Sequence, residues 1–69
     1  MKYLNEAKKM LLGGAEIMCE IKNFDDKNTN QWFLRVIRIR REGVFYYGLS
    51  LSGTWWPIVA ITSINGQSR

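Results

Sequence analysis

The sequence predicts a mainly β (α+β) fold, in which one short N-terminal helix precedes a four- or five-stranded antiparallel sheet, strongly bent or closed into a small barrel. Three observations carry this. Apolar residues follow helical spacing only before Gly13-Gly14. Beyond that point they alternate with period two, the mark of half-buried strands. Glycine-bearing turns at Glu42-Gly43 and Ser52-Gly53 then divide the rest into hairpin-sized pieces. The 69 residues make one small domain: helix and cap over 1–14, antiparallel β over 15–64, and a frayed tail over 65–69.

Within 3–12, Leu4, Ala7 and Leu11 fall on one helical face, Met10 widens it, and Lys8 and Lys9 face away. A helix of about three turns is marginal alone in water, so it must dock on the sheet. Ala15 to Lys22 alternates, with Ile17, Cys19 and Ile21 inward and Glu16, Met18, Glu20 and Lys22 outward. Asn23 to Asn30 is polar and turn-rich and reads as an exposed loop.

The next strand, Gln31 to Arg41, changes phase. Trp32, Leu34 and Val36 hold one phase, whereas Ile37 and Ile39 hold the other. A regular strand would bury arginines, so a β-bulge or bend is expected at Val36-Ile37. With that slip Phe33, Arg35, Arg38 and Arg40 share the outer face. After the Glu42-Gly43 turn, Phe45, Tyr47, Leu49 and Leu51 alternate with Val44, Tyr46, Gly48, Ser50 and Ser52. Thr54 to Ile64 is apolar in both phases, and Pro57 within it argues for an edge, a bulge or a break.

Composition narrows the function. Histidine is absent, which removes the usual acid–base group near neutral pH and makes a multi-step enzyme a poor reading. Cys19 is the single cysteine, so no internal disulfide or multi-cysteine metal site forms, and a core role suits it better than a nucleophile without a base. The serines likewise lack a base. Asp26-Lys27-Asn28-Thr29-Asn30 opens like a calcium loop, but Gln31 and Ile37 stand where the glycine and the bidentate glutamate belong. No cofactor or metal is expected. No apolar run is long enough for a signal peptide or a membrane span, which reads as a cytoplasmic protein with no membrane partner.

The net charge of +4 is unevenly placed. Lysines and acids cancel over residues 1–30, whereas residues 31–69 carry five arginines against Glu42 alone. Seven of the nine aromatics lie in that half, from Trp32 to Trp56.

The short helix, these strand lengths, the bent second strand and the final Val59-Ala60-Ile61-Thr62-Ser63-Ile64 together resemble the Sm-like, SH3-type small β-barrels. The resemblance implies an open five-stranded barrel, a ring oligomer and RNA as ligand. Where the family's bacterial RNA chaperones carry tyrosine-lysine-histidine-alanine, this chain has Pro57-Ile58-Val59-Ala60, so that pocket's lysine and histidine are not carried over.

The residues themselves point to a non-catalytic binding module. Arg35, Arg38 and Arg40, beside Phe33 and with Tyr46 next to them across the hairpin, combine phosphate-binding forks with stacking surfaces, as single-stranded RNA or DNA binding requires. Of the adjacent Trp55 and Trp56, Trp56 shares a phase with Ile58 and is expected inside, leaving Trp55 as the exposed aromatic anchor. The alternative is a protein-binding inhibitor or adaptor of the kind phages and mobile elements direct at a host protein. Self-association into a homo-oligomer is expected through the uncharged stretch from Ser52 to Ser68.

Overall fold

The computed structural model describes residues 1–22 and 31–69. The expected polar loop and the calcium-like opening over 23–30 lie outside the described residues. The elements are α1 (Leu4–Leu12), β1 (Ile17–Ile21), β2 (Trp32–Glu42), β3 (Phe45–Ser50), β4 (Trp55–Ile64) and β5 (Gln67–Ser68). All pairings are antiparallel in the order β1-β2-β3-β4-β5, and β1 also pairs with β4. That second pairing closes β1 to β4 into a small four-stranded antiparallel barrel, while β5 only extends β4.

Closure requires the two long strands to serve two neighbours each. β2 pairs with β1 over Trp32 to Val36 and with β3 from Val36 to Glu42. The handover falls at the expected slip: Val36 faces Ser50 and Arg38 faces Leu49, so Ile37 is an extra residue with no cross-strand partner. β4 does the same, pairing with β3 up to Ile58 and with β1 from Ile58 to Ile64. Val59 and Thr62 are its surplus residues against β1. β4 runs unbroken through Pro57, which faces Tyr47 on β3 and whose carbonyl accepts the Lys22 amide at 2.9 Å. β4 thus meets β3 over Trp55–Ile58 and β1 over Ile58–Ile64, with Ile58 paired to both.

The core is made where these strands overlap: Ile17, Cys19, Val36, Ile58, Ile61 and Ile64 are buried, and α1 adds Ala7, which is fully buried. A methyl side chain there lets the helix backbone approach the barrel closely, so the helix is held by burial rather than by its own propensity. Gly13 and Gly14 end it by donating backbone N–H hydrogen bonds to the Met10 and Leu11 carbonyls, at 3.0 Å each.

Two expectations are corrected. In β3, Tyr46, Gly48 and Ser50 face the barrel, while Tyr47 and Leu49 face out. The apolar-inside rule fails because Gly48 lies under the bend, against Val36 and Ile58, where no larger residue fits. Ser50 is buried with its polar atoms satisfied: its carbonyl accepts the Gly53 amide, and its hydroxyl accepts the Thr54 amide at 3.2 Å. Residues 65–69 are not a frayed tail. Asn65 and Gly66 have φ of 51° and 79° and turn the chain so that Ile64 faces Gln67. Asn65 then exchanges two hydrogen bonds with Glu16, its amide donating to the Glu16 carbonyl at 2.8 Å and its Oδ1 accepting the Glu16 amide at 2.9 Å. Arg69 reaches back to Glu6 of α1 at 2.7 Å.

Candidate nucleic-acid interface

The outer face of the barrel is set by the Ile37 bulge and by the turn after Glu42. Residues Arg38 and Arg40 of β2 point outward, Ile39 between them packs toward the core, and the register pairs Arg38 with Leu49 and Arg40 with Tyr47. Leu49 in turn faces Trp55 and Tyr47 faces Pro57 on β4. Two rows therefore cross three strands, Arg38-Leu49-Trp55 and Arg40-Tyr47-Pro57.

Between the rows the Arg40 guanidinium lies over the Trp55 ring, 4.5 Å from its centroid, and 5.8 Å from the Tyr47 ring centroid. Both are within cation–π range, worth about 0.5–1 kcal/mol each at an exposed site. Glu42 anchors the same guanidinium at 3.2 Å. An exposed ion pair of this kind contributes about 0–1 kcal/mol and is readily exchanged for another anion. The arrangement holds a flat cation against two rings, with Glu42 on one of its edges.

Arg35 and Phe33 share this outward phase, but the bend turns them onto a different panel. Their cross-strand neighbours are Met18 and Glu20 of β1, not residues of β3. Arg35 approaches Glu16 at 4.0 Å, and its shielded Nε makes no hydrogen bond within the described residues. Phe33 is half-exposed. The three arginines thus occupy one phase on two panels: Arg38 and Arg40 stand with the aromatic rows, and Arg35 stands with Phe33 beside β1.

Tyr46 is not part of this face. It pairs with Arg41 and Ile58 and packs against the core. Tyr47 takes its place, and the turn is the signal that finds it: Gly43, with φ of 60°, and Val44 form the two-residue loop that sets Glu42 against Phe45 and hence Arg40 against Tyr47. Arg41 reinforces the turn by donating from Nε to the Gly43 carbonyl at 2.6 Å. The tryptophans also differ from expectation. Trp55 lies on the outer face but is half-buried under Arg40, whereas Trp56, opposite Gly48 in the barrel phase, is the more exposed at 38%.

Cys19 is fully buried beside Ile17 and Ile21, and burial pushes its thiol up to about 12. It has no access to a substrate. Among the described residues no group of three or more histidine, cysteine or acidic side chains gathers to hold a metal ion, and no helix is long and apolar enough to cross a membrane. The chain matches no protein-family model, no curated protein and no solved structure with which it was compared.

Proposed function

We propose that this protein is a non-catalytic module that binds single-stranded nucleic acid on the outer face of β2, β3 and β4, with Arg38 and Arg40 taking phosphates and Trp55 and Tyr47 taking bases. Arg35 and Phe33 extend the same path around the bend. The observation that carries the reading is the Arg40 guanidinium stacked on Trp55 with Tyr47 beside it. A cation held against half-buried surface rings serves both parts of a nucleotide, and every base presents a π-face, so such a platform is tolerant of sequence. The charge distribution agrees, since the arginine-only half of the chain supplies the whole net excess. This assignment does not depend on membership of the Sm-like family, whose lysine and histidine are missing here.

The test is fluorescence anisotropy with labelled oligouridylate and oligothymidylate across about 50–200 mM salt, where a contact to each phosphate adds about 0.7 to the log–log slope for single strands. The wild type is expected to bind with a slope of about 2, for Arg38, Arg40 and Arg35 together. The variant R35Q/R38Q/R40Q is expected to lose binding while keeping its far-ultraviolet circular dichroism. Undiminished binding by that variant would remove the nucleic acid from this face.

A further inference from the structure

Helix α1 and the bulged part of β2 leave a groove of about 600 Å³ between them. Its floor is aliphatic, Leu11 and Leu12 from the helix and Ile37 and Ile39 from the strand, and its rim is Lys8, Lys9 and Arg38. Among the described residues no acidic side chain lines it. The sequence alone sets the two lysines on the solvent side of a neutral half; the fold brings them beside the arginine half, so that three cations surround one apolar trough.

Its floor is exposed for structural reasons. Leu12, the last residue of α1, is 91% exposed, and Ile37, the bulge's surplus residue, is 42% exposed. An apolar patch rimmed by charge is the usual mark of a docking surface. We propose that this groove receives an acidic amphipathic segment of another protein, its leucine-like side chains on Leu12 and Ile37 and its carboxylates against Lys8, Lys9 and Arg38.

The chemistry selects this occupant over two others. A nucleic acid gains much of its single-strand affinity by stacking on aromatic rings, and among the described residues none lines this floor. A second copy of the chain carries the same +4 charge, so its basic face is repelled by the rim. An amphipathic segment satisfies both features at once, since the apolar floor rewards aliphatic burial and the rim sets orientation and charge preference. The proposal is independent of the nucleic-acid reading, and the variants that test it leave the shared Arg38 in place.

The experiment is anisotropy of the full chain with a labelled synthetic peptide of about 15 residues, roughly the length at which an isolated helix begins to form, carrying leucines on one helical face and glutamates on the other. A peptide with lysines for the glutamates is the control. Saturable binding of the acidic peptide is expected, with no binding of the basic one. Both L12S/I37S and K8E/K9E are expected to weaken it at least about tenfold, which corresponds to 1.4 kcal/mol. Because the first pair replaces exposed side chains, its thermal midpoint is expected to stay near the wild type's, separating lost docking from lost folding. Loss with K8E/K9E but not with L12S/I37S would reduce the effect to charge attraction and overturn the proposal. So would a concentration-dependent doubling of mass abolished by L12S/I37S, which assigns the groove to a second copy, or loss of oligonucleotide rather than peptide binding in that same variant.

Discussion

A Cβ atom built on Gly48 would stand 2.5 Å from Cγ1 of Val36 and 3.2 Å from Cγ2 of Ile58. Val36 and Ile58 are the residues at which β2 and β4 pass from one neighbour to the next, so the two bends of the barrel meet over a residue with no side chain. G48A is expected to destabilise by about 1–3 kcal/mol, the ordinary range for overpacking a core. Each kcal/mol lowers the thermal midpoint of a domain this size by about 4–8 °C. Because the first clash is with a stiff branched side chain, V36A/G48A is expected to recover part of that loss relative to V36A alone. A thermal melt of the three variants settles it; an unshifted midpoint for G48A would mean the bends are not packed on that residue.

Arg40 and Trp55 have separable parts in the proposed interface. R40Q is expected to lower the salt slope of oligonucleotide binding by about 0.7, the share of one phosphate on a single strand. W55L is expected to leave the slope alone and weaken binding by about 1–3 kcal/mol, the worth of one stacked base. Equal slopes in the wild type and R40Q would take that guanidinium off the phosphate path.

Burial of Cys19 makes stability depend on alkaline pH. Its thiol rises from an ordinary value of 9.0 to about 12, so between those values the native chain keeps a proton that the unfolded chain releases. Its contribution is fully present below pH 9.0 and is lost as pH rises toward about 12. C19A is expected to flatten the decline in a urea-midpoint series over that window. At about pH 8, where a free thiol is partly thiolate, an aromatic disulfide reagent is expected to label the unfolded chain and spare the native one. Rapid labelling of the folded protein would contradict the burial.

Asn65 joins the final hairpin to the segment entering β1. N65A removes the oxygen that accepts the Glu16 amide and places alanine at a φ of 51°, which asparagine tolerates better. A loss of about 1–2 kcal/mol in chemical denaturation is expected from the unpaired amide and the strained turn together. N65G, which restores the backbone freedom without the hydrogen bond, is expected to fall between the two.

The sequence made the order of elements readable because each rests on a local signal: the helical stripe ending at Gly13-Gly14, the alternation of Ile17, Cys19 and Ile21, and the phase change at Val36-Ile37. The Arg35, Arg38 and Arg40 phase followed from that last signal alone. What escaped depends on closure. Tyr46 and Tyr47 exchange faces because the barrel interior at Gly48 and Ser50 is too narrow for large residues, a constraint absent from any one strand. Lys8 and Lys9 come beside Arg38 only when α1 docks. Asn65-Gly66 carried a hairpin signal, but a strand of two residues gives no alternation to support it.

The pairing of β1 with both β2 and β4 also orders the folding of the chain. The β2–β3 ribbon closes over a two-residue loop, so its partners are near neighbours from the start, whereas Ile17 must find Ile64 across most of the chain. The entropy of that long search is met before the contact returns anything. The hairpin at β2–β3 can form on the microsecond scale of local ribbons, on the order of 1–10 μs. Barrel closure is expected after it, so that until Ile17, Ile61 and Ile64 meet, the largely apolar β4 is exposed to other chains.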